Sequence, residues 1–224
     1  MIVGFVGLIG SGKDTAADFL VNFHGFRRDS FASTLKDAVA NVFGWDRIML
    51  EGRTAESRAW REKVDPWWSR RLNIPHLTPR YILQYWGTEV CRQGFHDDIW
   101  IASLENKLQR SSDNVVISDV RFPNEIAALK RAGGQIFWIQ RGALPDWYDC
   151  AFVENTTDLN EQWILQDHEQ LMEQKYPAVH ASEWAWVGQN FDAVIDNNGT
   201  VDDLYTQLRS LVQDRRVAMA DLAA

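Results

Sequence analysis

The chain has 224 residues and a mass of 25.8 kDa, which suit one large α/β domain or a core with insertions and exclude a mini-protein. Hydrophobic residues make up 46% and charged residues 24%, so disorder and fibrous repeats are excluded as well. No apolar run reaches the ~18 residues that a transmembrane helix needs, and no leader is visible, so we expect a cytoplasmic protein without a membrane partner. The only cysteines, Cys91 and Cys150, form no disulfide framework or metal motif.

Charge is unevenly distributed along the chain. The net charge of −8 and the pI of about 5.1 argue against stable nucleic-acid binding. The segment 27–92 nevertheless has twelve Lys and Arg against eight Asp and Glu, whereas 142–224 has four against fifteen. The middle of the chain is therefore the expected binding place for an anion, with a solvated helical face as the alternative.

Short apolar runs alternate with helical patterns along much of the sequence. This alternation predicts an α/β fold with a mostly parallel sheet and helices on both of its faces. The predicted strands are the opening MIVGFVGL, 115–118, 135–140 and 191–195. The predicted helices are 15–23, a second that begins at Pro123 and ends before Gly133, and 201–216 with Thr200 as its cap.

Two stretches interrupt the alternation. Residues 31–101 indicate several helices, and 159–176 indicate a helix inserted before the last strand. Long insertions in a compact domain are usually functional, so we interpret both as lids on a nucleotide-sized core.

The strongest motif is Gly7-Leu8-Ile9-Gly10-Ser11-Gly12-Lys13-Asp14-Thr15, between the first strand and the first helix. It matches the phosphate-binding P-loop of nucleotide-binding proteins except near its end. The backbone N–H groups of Gly10, Ser11 and Gly12 are predicted to point at a phosphate, and Lys13 to reach the β- and γ-phosphates.

Asp14 departs from the P-loop pattern, in which Ser or Thr supplies a hydroxyl to magnesium. Its carboxylate is able to hold the metal through water, or Thr15 takes over that role, and the alternative for Asp14 is a favourable charge in the first helical turn. Asp119, after the strand 115–118, is where a carboxylate orients magnesium in P-loop proteins. Arg121 follows as a phosphate ligand, with a strand-end salt bridge and helix cap as the alternative for this pair.

Six blocks, in chain order, resemble the deoxynucleoside monophosphate kinases of tailed bacteriophages. They are GLIGSGKDTAADFL, SFASTLKDAV, TPRYILQYWGTEVCR, VVISDVRFPNEI, HASE and VIDNNGTVDDL. The resemblance implies a P-loop nucleoside monophosphate kinase that transfers the γ-phosphate of ATP to a deoxynucleoside monophosphate with Mg²⁺. It further implies one kinase domain over 1–224, with an acceptor-binding insertion at about 32–100 and a lid at about 142–185, and a homodimer.

The basic middle segment fits an acceptor that is itself a phosphate. Its second pKa of about 6 leaves it ionised at neutral pH, so the transfer needs cations and no general base. Arg80, Arg92 and Lys36 are the candidates for binding the acceptor phosphate.

Base recognition has weaker candidates. Gln84 is suited to hydrogen bonding with a base and Trp86 to stacking, although a tryptophan in such a chain is more often part of the core. Glu89 and Glu125 are candidates for binding base or ribose, with a first-turn helix charge as the alternative for Glu125.

The remaining donor-side candidates follow from the resemblance. An arginine after the strand 135–140, here Arg141, is implied to clamp the donor phosphates, with solvated surface as the alternative. The turn around Asn198 and Gly199 is implied to border the donor adenine, while His180 in the HASE block has no assignable chemistry.

Two other functions stay open at this point. One is a P-loop kinase of another small molecule, such as dephospho-coenzyme A, whose alcohol acceptor would need Asp14 or Asp119 as a base. The other is a nucleotide-dependent switch or a nucleic-acid-associated ATPase. The acidic carboxyl-terminal half disfavours DNA binding and therefore this class.

Overall fold

A computed structural model of the chain describes residues 1–157 and 171–222. It divides into two compact units, one formed by Met1–Asp29 with the chain from Leu108 onward and the other by Ser30–Lys107. Among the described residues, no helix combines the length and apolar character that crossing a membrane would require.

The first unit contains a five-stranded parallel sheet, which confirms the predicted α/β fold class. The strand order is β2-β3-β1-β4-β5, so β1 and the loop after it lie in the middle of the sheet. The strands are β1 (Ile2–Val6), β2 (Phe26–Asp29), β3 (Asn114–Ile117), β4 (Gln135–Gln140) and β5 (Ala193–Asp196). Strand β2 is absent from the sequence-based prediction.

The described residues of this unit contain six helices besides the sheet. The predicted helices after the first strand, after Pro123 and at the carboxyl end are confirmed, and the last one extends beyond its predicted end. Most of the predicted helix 159–176 lies outside the described residues. The part that is described contains one short helix. The helices are α1 (Lys13–His24), α8 (Pro123–Arg131), α9 (Tyr148–Thr156), α10 (Leu171–Lys175), α11 (Ala181–Trp184) and α12 (Val201–Leu222).

Alternate residues of β1 serve opposite faces of the sheet. Val3 and Phe5 join a buried cluster with apolar side chains of α1 and α12. On the other face, the Cβ position of Gly4 meets the side chains of Leu129 in α8 and Ile136 in β4. Because both faces are covered, β1 is apolar throughout, as its sequence indicated.

The second unit is helical, as the sequence predicted for residues 31–101. A π-helical segment, Trp86–Gln93, follows directly after one of its helices. The α-helices are α2 (Ser33–Phe43), α3 (Arg47–Glu51), α4 (Ala55–Arg61), α5 (Pro66–Leu72), α6 (Pro79–Tyr85) and α7 (Ile99–Gln109), the last of which crosses the boundary between the units.

Aromatic side chains form much of the core of this unit. The ring of Phe43 stacks on that of Trp45 and lies beside those of Trp68 and Trp86. Asp65, the N-cap of α5, accepts hydrogen bonds from the backbone N–H groups of Trp67 and Trp68, and its other oxygen accepts one from Nε1 of Trp45 at 2.9 Å. This carboxylate therefore joins a helix start to the aromatic core.

Replacing Asp65 with Ala should cost more stability than an ordinary cap. Asp46 caps α3 through backbone N–H groups alone, so Asp46→Ala removes a cap without an indole partner. We expect about 1 kcal/mol for Asp46→Ala and about 1 kcal/mol more for Asp65→Ala, measured by chemical denaturation. Equal losses would show that the bond to Trp45 contributes nothing.

Candidate active site

The loop between β1 and α1 has a backbone that only glycines readily adopt. Gly7, Gly10 and Gly12 have φ angles of 142°, 78° and 103°, in the left-handed range that side chains disfavour. Gly12 is the N-cap of α1 and offers no side chain to cap it. The N–H groups of the first helical turn are therefore suited to binding an anion.

Lys13, the first residue of α1, folds back over this loop. Its Nζ donates hydrogen bonds to the carbonyl oxygens of Gly7 at 2.6 Å and Leu8 at 2.7 Å. Burial, together with the positive charge of Arg121, lowers the pKa of Lys13 to about 8, against the opposing influence of Glu183 and Asp14. The ammonium group is thus poorly solvated and suited to pairing with phosphate oxygens.

Asn197 holds the loop in place from the other side. Its Nδ2 donates to the carbonyl oxygen of Ser11 at 2.7 Å, and both residues are buried. A Cβ at position 12 would collide with this amide, so Gly12 is needed for close approach as well as for its φ angle. The backbone N–H of Asn197 also donates to Gln140 at 2.8 Å. The sequence analysis named Asn198 and Gly199 as candidates for binding the donor nucleotide and did not single out Asn197.

Asn198 and Gly199 lie in the exposed part of the same turn. The side-chain oxygen of Asn198 accepts from the N–H of Gly142 at 2.7 Å, which joins the turn to the segment after β4. Thr200 and Asp203 cap α12 reciprocally, as the helix-entry interpretation predicted. The contacts of Asn198 and Gly199 with a nucleotide stay a prediction.

Asp14 is engaged by an arginine that the sequence analysis did not single out. Nη1 of Arg28, in β2, donates to its carboxylate at 2.8 Å, and Nη2 donates to Asp14 O and to the carboxylate of Asp18, each at 2.9 Å. The hydroxyl of Ser118 donates to the same Asp14 oxygen at 3.1 Å. Asp14 therefore connects α1 with β2 and with the end of β3.

Side-chain oxygens of the type that magnesium prefers occur near this sheet edge. The side chain of Asp14 is 81% exposed, Thr15 is exposed, and Asp119 lies one residue beyond Ser118. Mg²⁺ commonly takes one or two carboxylates and completes its shell with phosphate oxygens and water. In the part of the chain that the structure describes, no three His, Cys, Asp or Glu side chains form a metal site, so an ion here would depend on a bound phosphate.

Arg121 contacts the HASE block. Its Nη1 donates to Oε1 of Glu183 at 2.6 Å and to the carbonyl oxygen of Ser182 at 3.3 Å. His180 begins the short helix α11, where its Nδ1 accepts from the N–H of Ser182 at 3.2 Å. The block therefore carries the carboxylate that neutralises Arg121, and His180 acts as a helix cap.

Glu125 is occupied by the backbone. It is 5% exposed, and its Oε2 accepts from the N–H groups of Arg121 at 2.8 Å and Phe122 at 3.2 Å. These bonds cap the start of α8, which is the first-turn alternative considered for this residue. Its role in binding base or ribose stays a prediction that these contacts do not support.

In the helical unit, Lys36 pairs with Glu51 at 2.7 Å, and Arg47 binds the other oxygen of that carboxylate. Arg80 lies 3.7 Å from Glu62 and is about half exposed. Gln84 is exposed at the end of α6. The π-helical segment contains Trp86, Glu89 and Arg92.

Trp86 is half buried, with its ring edge-on to Phe43 at a centroid distance of 5.4 Å. This contact fits the core alternative for that tryptophan. Glu89 is exposed and Arg92 is half buried. In the other unit, Arg141 is exposed directly after β4. The ligand contacts of all these residues stay predictions.

Comparisons with known proteins agree with the motif blocks. No protein-family model matches the chain. It is 28% identical to a provisionally named deoxynucleotide monophosphate kinase of Acanthamoeba polyphaga mimivirus, over 96% of this chain and 97% of the relative. It is 29% identical to a deoxynucleoside-5'-monophosphate kinase of Escherichia phage T5, over 58% of this chain and 72% of the relative. The predicted resemblance is confirmed by these relatives.

Solved structures resemble the chain more distantly. Shikimate kinase from Aquifex aeolicus aligns over 97% of this chain and 99% of its own, with 10% identity and a TM-score of 0.40. Dephospho-CoA kinase from Campylobacter jejuni aligns over 95% and 96%, with 13% identity and a TM-score of 0.39. The fold class follows from the topology of the sheet.

Replacing Asn197 with Ala should loosen the glycine loop. The buried carbonyl of Ser11 would lose its donor, which we expect to cost about 1–3 kcal/mol of unfolding free energy and to weaken binding of a nucleoside triphosphate. Denaturation and calorimetry measure the two effects. Asn190, which is exposed, provides the control Asn190→Ala, and equal behaviour of the two variants would contradict the role of Asn197.

The contribution of Glu51 should depend on pH. Burial alone would raise the pKa of Glu51, but hydrogen bonds and charges from Lys36 and Arg47 outweigh it and hold the pKa below its usual range. A carboxyl group whose pKa is lower in the folded state stabilises the fold at pH values above its unfolded pKa of about 4.5. This stabilisation is lost as the pH falls through the folded-state pKa.

Glu51→Gln should therefore destabilise by about 1–2 kcal/mol at pH 7 and progressively less below pH 4.5. Denaturation at several pH values, with the exposed Glu56→Gln as the control, measures this. A loss that is independent of pH would contradict the assignment.

Proposed function

We propose that this chain transfers the γ-phosphate of ATP to a deoxynucleoside monophosphate, giving the diphosphate and ADP. The observation that carries the proposal is the glycine loop beside β1, where the charge of Lys13 and the N–H groups of the first turn of α1 are suited to binding phosphate. The identity of the acceptor is supported by the similarity to the mimivirus protein across nearly the whole chain.

On the donor side, the N–H groups of Gly10, Ser11 and Gly12 bind the phosphates of ATP. Lys13 leaves the carbonyls of Gly7 and Leu8 and pairs with the β- and γ-phosphates. Arg141, exposed after β4, adds positive charge as the γ-phosphate moves, and the backbone of Asn198 and Gly199 contacts the adenine. This set stabilises the charge that spreads over the transferred group.

Magnesium fits the oxygens at the end of β3. Asp14, Thr15 and Asp119 would hold the ion, directly or through water, together with phosphate oxygens. When bound, the ion neutralises negative charge on the transferred phosphoryl group. Arg28 keeps the Asp14 carboxylate at this edge by donating to it, and Asp119 supplies the second carboxylate.

On the acceptor side, the monophosphate is already ionised and attacks without a general base. Lys36, Arg80 and Arg92 bind its phosphate. In the sheet-containing unit, Arg121 becomes available to a phosphate once Glu183 releases it. Gln84, Trp86 and Glu89 contact the base or sugar, and Glu125 acts through the backbone of Arg121. Arginine suits this task because its planar group binds two phosphate oxygens at once.

We assign the reaction to the cytoplasm of an infected cell, because both named relatives are viral. Its partner is a small nucleotide, and the homodimer stays a prediction that gel filtration with light scattering can test.

Replacing Lys13 with Ala should abolish turnover. The variant loses the cation that faces the β- and γ-phosphates, and we expect the rate to fall by at least about 10²- to 10³-fold. A coupled assay for ADP, run with all four deoxynucleoside monophosphates, their ribose counterparts and dephospho-coenzyme A, measures the rate and the acceptor together.

Lys63→Ala, at an exposed lysine of the helical unit, is the control for general effects of charge removal. Thermal unfolding of both variants shows whether the fold is intact. Near-normal transfer by a folded Lys13→Ala protein would exclude the assigned site, and activity on dephospho-coenzyme A alone would exclude the assigned acceptor.

A further inference from the structure

Arg61, the last residue of α4, has one buried guanidinium nitrogen without an acceptor among the described residues. Its Nε is buried, and no atom of the described residues accepts a hydrogen bond from it. Arginine stays charged at all ordinary pH values, and a buried charged donor without an acceptor is costly. Such a group indicates that an anion belongs beside it.

The guanidinium group of Arg61 packs against the backbone at Gly52. That glycine ends α3 with a φ angle of 68°, and a Cβ there would collide with the Cζ and Nη2 atoms of Arg61. The adjoining backbone also holds a second arginine, since Nη1 of Arg58 donates to the carbonyl oxygen of Arg53 at 2.9 Å. The glycine thus leaves space that the arginine fills.

A third arginine adds its charge to this region. Burial lowers the pKa of Arg61 first, and the positive charge of Arg80 lowers it further, as does that of Arg58 to a smaller extent, while Glu62 opposes them. Arg80 is only loosely paired with Glu62, at 3.7 Å. The other acidic neighbour, Glu51, is already bound by Lys36 and Arg47. Positive charge is therefore in excess around Arg61.

We propose that Arg61, with Arg58 and Arg80, forms a site within the helical unit for the phosphate monoester of the acceptor nucleotide. This inference rests on the proposed function and adds two binding residues to it, because neither Arg61 nor Arg58 is among the residues predicted from the sequence. Two or three guanidinium groups match both the charge of a phosphate dianion and its several acceptor oxygens. Arg61 supplies the desolvated contact, and Arg80 supplies the exposed one.

The first test compares Arg61→Gln with Arg71→Gln, which removes the same charge from an exposed position of α5. We expect Arg61→Gln to raise the KM for the deoxynucleoside monophosphate by about tenfold or more and to change the KM for ATP less than about twofold. Arg61→Lys, which keeps the charge, should recover part of the affinity. An unchanged acceptor KM, or an equal rise in Arg71→Gln, would overturn the proposal.

A second pair of variants keeps all the arginines. Gly52→Ala displaces the guanidinium group, whereas Gly44→Ala imposes the same backbone strain at the end of α2, where a Cβ would meet nothing within 4 Å. Only Gly52→Ala should raise the acceptor KM. An equal rise of the acceptor KM in both variants would contradict a role for the packing of Arg61 against Gly52. If Arg61→Gln does not fold, this pair of variants tests the proposed site instead.

Calorimetry separates this inference from the proposed function. Wild-type protein is titrated with a deoxynucleoside monophosphate, with the matching nucleoside and with inorganic phosphate. If the protein binds the monophosphate but transfers nothing, the proposed function fails, and loss of that binding in Arg61→Gln still supports the site. Binding that is unchanged in Arg61→Gln overturns the site, as does inorganic phosphate binding as tightly as the nucleotide.

Discussion

The hydrogen bond from Asn197 to the carbonyl of Ser11 connects the end of β5 with the glycine loop. Strand β1 lies in the middle of the sheet, and β4 and β5 follow on one side, so the turn after β5 reaches the loop after β1. The glycine at position 12 makes this approach possible. The shape of the loop therefore depends on packing against a residue almost at the other end of the chain, and not on the glycine motif alone.

Cations around the loop are balanced by internal acceptors. Lys13 binds two loop carbonyls, Arg28 binds Asp14 and Asp18, and Arg121 binds Glu183. In each case a phosphate or metal would have to exchange with an existing partner. Arg61 differs, because its buried Nε has no such acceptor among the described residues. Arg61 differs also from Lys36 and Arg47 of its own unit, which both bind Glu51.

The sequence predicted the fold class and the glycine loop because short apolar runs that alternate with helical patterns, and a nine-residue motif, carry strong local signals. Strand β2 escaped prediction because its four residues, FRRD, contain two arginines, and their pairing with β3 makes them a strand. Sequence also could not decide which asparagine of the turn is buried, or that Glu125 caps a helix. Those outcomes depend on side-chain directions that arise from tertiary packing.

Lys13 shows what this arrangement means for ligand affinity. Its ammonium group makes two short contacts with carbonyl oxygens, so a triphosphate bound as proposed would replace existing bonds instead of adding new ones. Small anions that cannot offer several oxygens at once gain little from that exchange. Under the proposed function, these two contacts would favour a polyphosphate chain over a single inorganic ion.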